Sequence, residues 1–346
     1  MTISLLKLPF IPLQLILLNA NLAELIHFSM ISKKCYQIVK GLRIPYLTSL
    51  EMHVSKESTC VKLKLGKGIL GGWHFLNYEE DEDEEIKPID TTILGCHMKT
   101  IILDDHIYSF TLHDVKISVR AGSHYLMDLF KLEIYKAWLD ADQVSLARSP
   151  YFYPFKNLRD IWIFGEKPMD PDDFKYLVEN IAPSYNLSIK LPFDPKFKFD
   201  SFLKNNSDYL AIGKRAHWIT SEMFHSFDNV YLQLFGCKMT AVDCQLFISR
   251  WFHSSNTRFE TLILSFIRVP DAYDFSEYEL FPFDKERRGF AFKKRFNQYI
   301  DCTDGFDIIR SDGLLATILI GPFWFVFHVW HDRFPDLAGH TNLFQS

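Results

Sequence analysis

Two stretches of this chain read alike, and the rest of the sequence is interpreted outward from them: Leu158-Arg-Asp-Ile-Trp-Ile-Phe-Gly165 and Val230-Tyr-Leu-Gln-Leu-Phe-Gly236. Each has the length and apolar content of a short, largely buried β-strand. Each is followed by a Met and, after a gap, an Asp: Met169 and Asp173 in the first copy, Met239 and Asp243 in the second. In both copies apolar residues then recur at helical spacing, so each copy predicts a strand, a turn and a helix.

Further strands of the same type surround these two copies. Glu260-Thr-Leu-Ile-Leu264 places Leu262 30 positions after Leu232, and weaker strands lie near Leu187 and Leu210. Strand–turn–helix units that recur every ~20–30 residues are typical of a leucine-rich-repeat-like solenoid. The strict repeat consensus is matched poorly, so the sequence predicts LRR-like β-α repeats over residues 121–268.

The segment before the repeats, residues 46–120, predicts a β-rich region. Val61-Lys-Leu-Lys-Leu65 alternates apolar and charged side chains, as a half-buried strand does. Residues 101–103, 108–112 and 116–119 are further strand candidates. Just after this segment, a helix is predicted at 122–130 and a strand at 133–138. Residues 79–85 are all acidic, and their mutual repulsion predicts a solvated, disordered loop, with an acidic docking segment as the alternative.

The segment after the repeats, residues 269–346, predicts a small antiparallel sheet that closes their C-terminal end. Asp312-Gly313 lies between apolar runs at 306–310 and 314–320, and Asp-Gly favours the positive φ angles of a tight hairpin turn. Gly321-Pro322 then reverses the chain into a third strand at 323–330.

The N-terminal residues 3–42 predict short helices, because apolar residues recur there at three- and four-residue spacings. Asn21 suits the N-cap of the second helix, with Glu24 completing a capping box. Ser32 suits the N-cap of a third helix that runs through Val39, with Gly41 near its end.

Composition narrows the class of protein. The chain has 346 residues, of which 48% are hydrophobic, and a formal net charge of −5, which disfavours a nucleic-acid binder. Its six scattered cysteines contain no CxxC pair and indicate reduced thiols in an intracellular protein, cytoplasmic or nuclear. The alternative is secretion, because the apolar run at 10–18 resembles a weak signal peptide. No apolar stretch reaches the ~18–20 residues of a membrane span.

The sequence gives only weak evidence for a ligand-binding, metal or catalytic site. Gly66-Lys-Gly-Ile-Leu-Gly71 matches a dinucleotide-binding pattern, but no helix is predicted after it, so it predicts a turn; an enzyme stays as the second alternative. His328 and His331 point to opposite faces of a strand, which predicts an aromatic-rich core or a turn rather than a metal site. The basic and aromatic residues of 285–296 predict a solvated loop, with nucleic acid or an import signal as alternatives. No cofactor, no metal and no catalytic residue is expected.

The N-terminal segment resembles the F-box. The residues that carry the resemblance are Leu5-Leu-Lys-Leu-Pro-Phe10, Ile16-Leu17, Leu22, Leu25-Ile26, Phe28-Ser29 and Ile31-Ser-Lys-Lys-Cys-Tyr36. Tyr36 stands where many F-boxes have Trp, and Pro12 is unusual in the first helix. Residues 216–222, 229–234, 239–251, 258–262, 307–317 and 329–335 resemble a type-2 F-box-associated domain of a nematode-type family.

The resemblance implies a non-catalytic adaptor of a cullin-based, SCF-type ubiquitin ligase. An F-box of roughly 45 residues is too small to bury a core alone, so its apolar face is expected to dock on a Skp-type adaptor, which links it to cullin. The candidate docking residues are Leu8, Pro9, Leu13, Ile16, Leu17, Leu25 and Ile26. The remainder of the chain would bind an unknown target protein. An LRR-like interaction module without a ligase role is the first alternative.

The predicted fold class is therefore α+β or α/β, in four parts. These are an F-box at 1–45, a β-rich segment at 46–120, LRR-like β-α repeats at 121–268 and an F-box-associated C-terminal sheet with its tail at 269–346.

Overall fold

The structure, a computed structural model, describes residues 5–44, 47–55, 59–66, 68–77, 88–111, 114–142, 157–199, 207–294 and 298–331. The chain forms two compact units, Met1–Phe164 and Gly165–Ser346. The acidic segment 79–85 lies outside the described residues. The class is mixed, with N-terminal helices followed by extensive β-sheet.

The first unit begins with a 3₁₀ turn (Leu5–Lys7) and three short helices, α1 (Phe10–Leu18), α2 (Leu22–Ile31) and α3 (Lys33–Gly41). The predicted caps are confirmed. The Asn21 side chain accepts a hydrogen bond from the Glu24 backbone N–H at 2.7 Å, and the Glu24 carboxylate accepts one from the Asn21 N–H at 2.9 Å. Ser32 Oγ accepts from the Cys35 N–H at 3.1 Å, so both helix starts follow from local sequence.

A mixed sheet forms the body of the first unit. Its strands lie in the order β8-β7-β1-β2-β3-β6-β5-β4. Their bounds are β1 (Leu47–Val54), β2 (Thr59–Leu65), β3 (Gly68–Asn77), β4 (Ile89–Ile93), β5 (Cys96–Leu103), β6 (His106–Thr111), β7 (Ile134–Asp140) and β8 (Asp160–Phe164). The predicted alternation in β2 is confirmed, because Val61 and Leu63 are buried whereas Lys62 and Lys64 are not.

A long helix, α4 (Val115–Phe130), contacts this sheet. It approaches β3 so closely that a Cβ at Gly122 would lie 2.2 Å from Phe75 Cζ, which only a glycine avoids. The prediction of a strand at 116–119 was wrong, since these residues form the first turn of α4. Asp114 accepts a hydrogen bond from the Lys116 N–H at 3.0 Å and starts the helix. Four residues are too few for periodicity to separate strand from helix, and the cap carries the stronger signal.

The second unit contains four parallel strands, β9 (Asn186–Lys190), β10 (Tyr209–Ile212), β11 (Tyr231–Cys237) and β12 (Thr261–Phe266). Three helices accompany them: α5 (Pro171–Asn180), α6 (Ser221–Ser226) and α7 (Ala241–Phe252). Corresponding leucines lie side by side in register and are all buried: Leu187, Leu210, Leu232 and Leu262. The sequence pattern around these residues therefore marked real, neighbouring strands.

The C-terminal strands confirm the predicted hairpins. β15 (Phe306–Ile309), β16 (Leu315–Gly321) and β17 (Trp324–Val329) are antiparallel, and β17 also pairs with β12. The strands thus extend the parallel set directly and cover its last edge. Gly313, with φ of 89°, occupies the turn position that requires a positive φ.

The segment 285–296 was predicted as a solvated loop, and residues 295 and 296 lie outside the described residues. The described part, 285–294, is instead partly core, so for it the prediction was wrong. It contributes β13 (Ala291–Lys294), which pairs with β14 (Gln298–Asp301), and it buries Arg288 and Phe292. Arg288 Nε donates to both carboxylate oxygens of Asp307, at 2.8 and 3.0 Å. Thr317 donates to Asp307 and accepts from Trp330 Nε1, each at 2.7 Å, so the ion pair belongs to a satisfied buried network.

Candidate docking surface

Helix α1 is apolar on nearly every side. Its sequence is Phe-Ile-Pro-Leu-Gln-Leu-Ile-Leu-Leu, in which Gln14 is the one polar residue. A helix with no polar face is stable in water only when its whole circumference is covered. In this chain the covering is partial.

The inner side of α1 is sealed within the first unit. Leu13 and Leu17 are buried, and so are Leu25 and Ile26 of α2. These four residues are among the buried apolar side chains of the helical segment.

The outer side of α1 is open. Phe10 is 58% exposed, Ile11 70%, Leu15 59% and Ile16 48%, and Leu6 of the preceding turn is 36% exposed. We call these five residues the α1 outer face. Exposed large apolar side chains this close together mark an interaction site rather than ordinary surface.

The seven predicted docking residues differ in their exposure to solvent. Ile16 and Pro9 are exposed and Leu8 is half-buried, whereas Leu13, Leu17, Leu25 and Ile26 are buried. Placing these last four on an open face was wrong, because helical spacing identifies an apolar stripe without showing which side the chain itself covers.

The residues that the sequence analysis missed are Leu6, Phe10, Ile11 and Leu15. The signal that points to Phe10, Ile11 and Leu15 is the near absence of polar residues in α1, since one covered stripe cannot use all of its apolar side chains.

Helices α2 and α3 are held against α4 by side-chain hydrogen bonds. The Tyr36 hydroxyl donates to the Asp128 carboxylate, and Lys40 Nζ lies 2.6 Å from the same carboxylate. The Ser29 and Tyr125 hydroxyl oxygens are 2.6 Å apart. The Lys40 hydrogen bond, followed by that of Tyr36, lowers the pKa of Asp128, which keeps this carboxylate ionised. Tyr36, at the position where many F-boxes have Trp, thus serves the attachment to α4.

The described helical segment is basic. Residues 5–44 contain Lys7, Lys33, Lys34, Lys40 and Arg43, against Glu24 as the single acidic residue. Lys40 pairs with Asp128, which leaves the other four cations exposed at the surface. A partner with an acidic rim would match this charge.

The glycines of the motif and the two histidines that the sequence analysis considered lie within the folded, described part of the chain. β3 continues as a strand after Gly68 and Gly71, so the glycine motif does not open a helix that could hold a pyrophosphate. His328 Nδ1 lies 2.9 Å from Thr261 Oγ1, and its ring stacks on Phe292. His331 Nε2 lies 2.9 Å from the Phe259 carbonyl oxygen. The described residues contain no cluster of three potential metal ligands.

The six cysteines are free and buried. Among the helices of the described ranges, none has both the length and the apolar content that a bilayer crossing requires.

Comparison with known proteins places two family models on the chain. The F-box domain model matches residues 5–46, which include α1, α2 and α3. The F-box associated model, type 2, matches residues 198–264, which include β10, α6, β11 and α7.

One similar curated protein is the uncharacterized protein F59B2.8 of Caenorhabditis elegans. It is 21% identical over 350 residues, which cover 95% of this chain and 78% of that protein. No solved structure matches the chain significantly.

F-box domains in general bind a Skp-type adaptor within SCF-type ligases, and F-box proteins are generally non-catalytic. The α1 outer face lies inside the F-box match, and β10, β11 and most of β12 lie inside the other. The chain therefore contains an F-box domain and a type-2 F-box-associated domain.

Proposed function

We propose that this protein is the substrate-recognition adaptor of a cullin-based, SCF-type ubiquitin ligase and catalyses no reaction itself. The α1 outer face docks on the Skp-type adaptor, and the body of the chain holds a target protein. The observation that carries the proposal is this cluster of five exposed apolar side chains, which precede helices that are hydrogen-bonded to α4.

The energetics support docking at this face. Complete burial of one large apolar side chain contributes about 1.5–3 kcal/mol, and residues such as Phe10 and Ile11 still have most of that to gain. Because the hydrogen bonds to Asp128 and Tyr125 hold α2 and α3 in place, a partner does not have to order these two helices on binding. We therefore assign docking to residues 1–45, with the exposed residues of α1 at its centre.

Charge supports a particular type of partner surface. Lys7, Lys33, Lys34 and Arg43 are exposed in the same segment as the apolar face. We propose an apolar groove with an acidic rim on the Skp-type adaptor. Rim charges act mainly on the association rate, so association is expected to slow as salt is raised.

The remaining segments form the target-binding body in this proposal. The register of Leu187, Leu210, Leu232 and Leu262 supports LRR-like repeats within residues 121–268. Such repeats present a broad surface to a protein ligand. Bringing a bound target close to the ubiquitin-charged enzyme raises its effective concentration there. The free, buried cysteines suit an intracellular site of action, in cytoplasm or nucleus.

The test is a pair of matched substitutions on the full chain. Ile11→Asp places a charge in the α1 outer face, and Ile117→Asp places one on another exposed isoleucine, in α4. We expect Ile11→Asp to weaken binding of a purified Skp-type adaptor at least about thirtyfold, as at an interface hot spot, and Ile117→Asp to leave it unchanged. Isothermal titration calorimetry measures both.

Equal adaptor affinities for Ile11→Asp and the unmodified chain would refute the docking surface. Adaptor binding without transfer of ubiquitin to any copurified protein would instead favour an interaction module without a ligase role.

A further inference from the structure

The carboxyl ends of the four parallel strands of the second unit carry a row of basic residues. Lys190 ends β9, Lys214 and Arg215 follow β10, Lys238 follows β11 and Arg268 follows β12. All five are exposed, and we call them the basic edge. The carboxyl ends of parallel strands, with the loops that follow them, are the usual place for a binding site in sheets of this kind.

Backbone contacts show that the residues of the basic edge are neighbours in space. A Cβ on the glycine that precedes Lys214 would lie 3.2 Å from Lys190 Cγ. A Cβ on the glycine two residues before Lys238 would lie 3.1 Å from the Lys214 carbonyl oxygen. A backbone hydrogen bond of 3.1 Å joins the residues that precede Arg268 and Lys238. Since neighbouring strands lie ~4.8 Å apart, the row spans about 15 Å, which an extended peptide crosses in about four or five residues.

The charge of this edge is nearly uncompensated. Lys214 Nζ lies 2.8 Å from Glu166 Oε1, and the other four cations form no ion pair with another described residue. Within three residues after each of the four strands, every charged residue is basic. Acidic residues come later in the loops or in the helices that follow, at Asp194, Glu222, Asp243 and Asp271.

The amino ends of the same strands have the opposite charge. Asp208, Asp228 and Glu260 lie just before β10, β11 and β12. Arg258 is also there, 2.7 Å from Asp208 and 3.5 Å from Asp228. The unpaired cations are thus gathered at one edge of a chain whose net charge is −5, and their summed field attracts a negatively charged partner to that edge.

An apolar cluster lies at the Arg268 end of the row. Ile267, Val269, Phe323 and Trp324 are all exposed. The Phe323 carbonyl oxygen accepts a hydrogen bond of 2.9 Å from the last residue of β12, which places the β16–β17 turn beside the residues around Arg268. Large exposed apolar side chains that lie this close together mark an interaction site.

We propose that the basic edge and this apolar cluster together bind an acidic protein segment that carries a large apolar residue at one end. Carboxylates of the segment lie along the row from Lys190 to Arg268, and the apolar side chain packs against Phe323 and Trp324. A protein segment is favoured over nucleic acid, because the cluster is partly aliphatic and the net negative charge of the chain opposes a polyanion. The inference rests on the proposed function only in taking that segment to belong to the ligase target.

The probe is a fluorescein-labelled synthetic peptide, in which four glutamates alternate with serines and a Leu-Phe pair follows, added to the full-length protein. Lys238→Glu reverses a charge in the middle of the basic edge, and we expect the affinity measured by fluorescence anisotropy to fall at least about tenfold. Lys293→Glu makes the same change in net charge at an exposed lysine of β13, outside the edge, and leaves the affinity within about twofold.

Phe323→Ser tests the apolar end of the site. We expect it to lower the affinity for this peptide about fivefold, and to leave unchanged the weaker affinity for a peptide that ends in two serines instead of Leu-Phe. Raising the salt concentration should weaken binding of both peptides.

Equal affinities for the acidic peptide and for one with glutamine in place of glutamate would overturn the proposal, as would equal losses in Lys238→Glu and Lys293→Glu. So would an acidic peptide that does not bind, or a single-stranded DNA oligonucleotide that binds more tightly than the peptide. Adaptor binding is measured on the same proteins. Lys238→Glu is expected to bind the adaptor normally, and Ile11→Asp to bind the peptide normally, so failure of the basic edge and failure of the ligase role are distinguishable.

Discussion

Helix α1 and the β13–β14 hairpin both contain large apolar side chains, but α1 leaves several of them exposed whereas the hairpin buries Phe292. Ile11 of α1 is exposed, with no described part of its own unit over it. Phe292 of β13 is buried, and its ring stacks on His328 with centroids 3.9 Å apart. Around Phe292 the hairpin closes over a cluster that includes Tyr231, Ile263 and Val326.

The difference shows that apolar content does not decide whether a surface is covered by the protein's own chain. In the second unit, the chain returns after β12 to cover its own sheet. In the first unit, the helices cover one side of α1 and leave the other. We interpret the hairpin as structural and the α1 outer face as a place for a second protein, and three predictions test this contrast.

The largest expected effect comes from disrupting the buried ion pair in the second unit, where the chain covers its own sheet. Asp307→Ala leaves the buried Arg288 guanidinium without its counter-ion, and this should lower the free energy of unfolding by roughly 3–5 kcal/mol. Urea denaturation followed by tryptophan fluorescence measures the change. Asp284→Ala is the control, because its pair with Arg287 is partly exposed and 3.7 Å long, and its loss should cost less than about 1 kcal/mol. Similar costs for the two variants would contradict a buried network.

The second prediction locates the border between the covered and open sides of the helical segment. Leu25→Ala removes a buried side chain and should lower the free energy of unfolding by roughly 2–5 kcal/mol. Leu15→Ala, in the α1 outer face, should change it by less than about 0.5 kcal/mol. Both are measured by denaturation of the isolated chain. A large cost for Leu15→Ala would mean that this face is already packed.

The smallest expected effect is on the pH dependence of stability, through an ion pair between Arg310 and Asp312 near the C-terminal end of α7. Arg310 donates to Asp312 at 3.0 and 2.7 Å, and also to the carbonyl oxygens of Trp251 and Asn256. The hydrogen bond from Arg310 lowers the pKa of Asp312 below its ordinary 3.8. A lowered carboxyl pKa stabilises the fold above that ordinary value, and the contribution is lost as pH falls through the folded-state pKa.

Asp312→Asn should therefore be less stable than the unmodified chain at pH 7, and the difference should shrink as pH falls below 3.8. Thermal unfolding at a series of pH values measures it. A difference that stays constant over this range would exclude a role for the ionised carboxylate.

Local signals predicted much of the fold. The capping box at Asn21 and Glu24 and the Asp312-Gly313 turn depend on neighbours within a few residues, and both formed as predicted. The strand predicted at 116–119 failed because its four residues fit two periodicities. The loop predicted around Arg288 failed for a different reason, since the partner that buries this cation is Asp307, 19 residues away.

The candidate sites show the same limit. The sequence indicated that the N-terminal helices have an apolar surface, and Ile16 was among the residues predicted to form it. It could not show that Leu25 faces inward, nor that Lys190, Lys238 and Arg268 share one edge of a parallel sheet.

The sequence by itself determined the starts of α2 and α3, the strands around the repeated leucines and the F-box resemblance, because propensity, capping and periodicity act over a few residues. The tertiary structure decided which apolar side chains are covered, which charge is buried and which basic residues share an edge of the sheet. Those outcomes depend on contacts between segments far apart in the chain, and no local pattern specifies them.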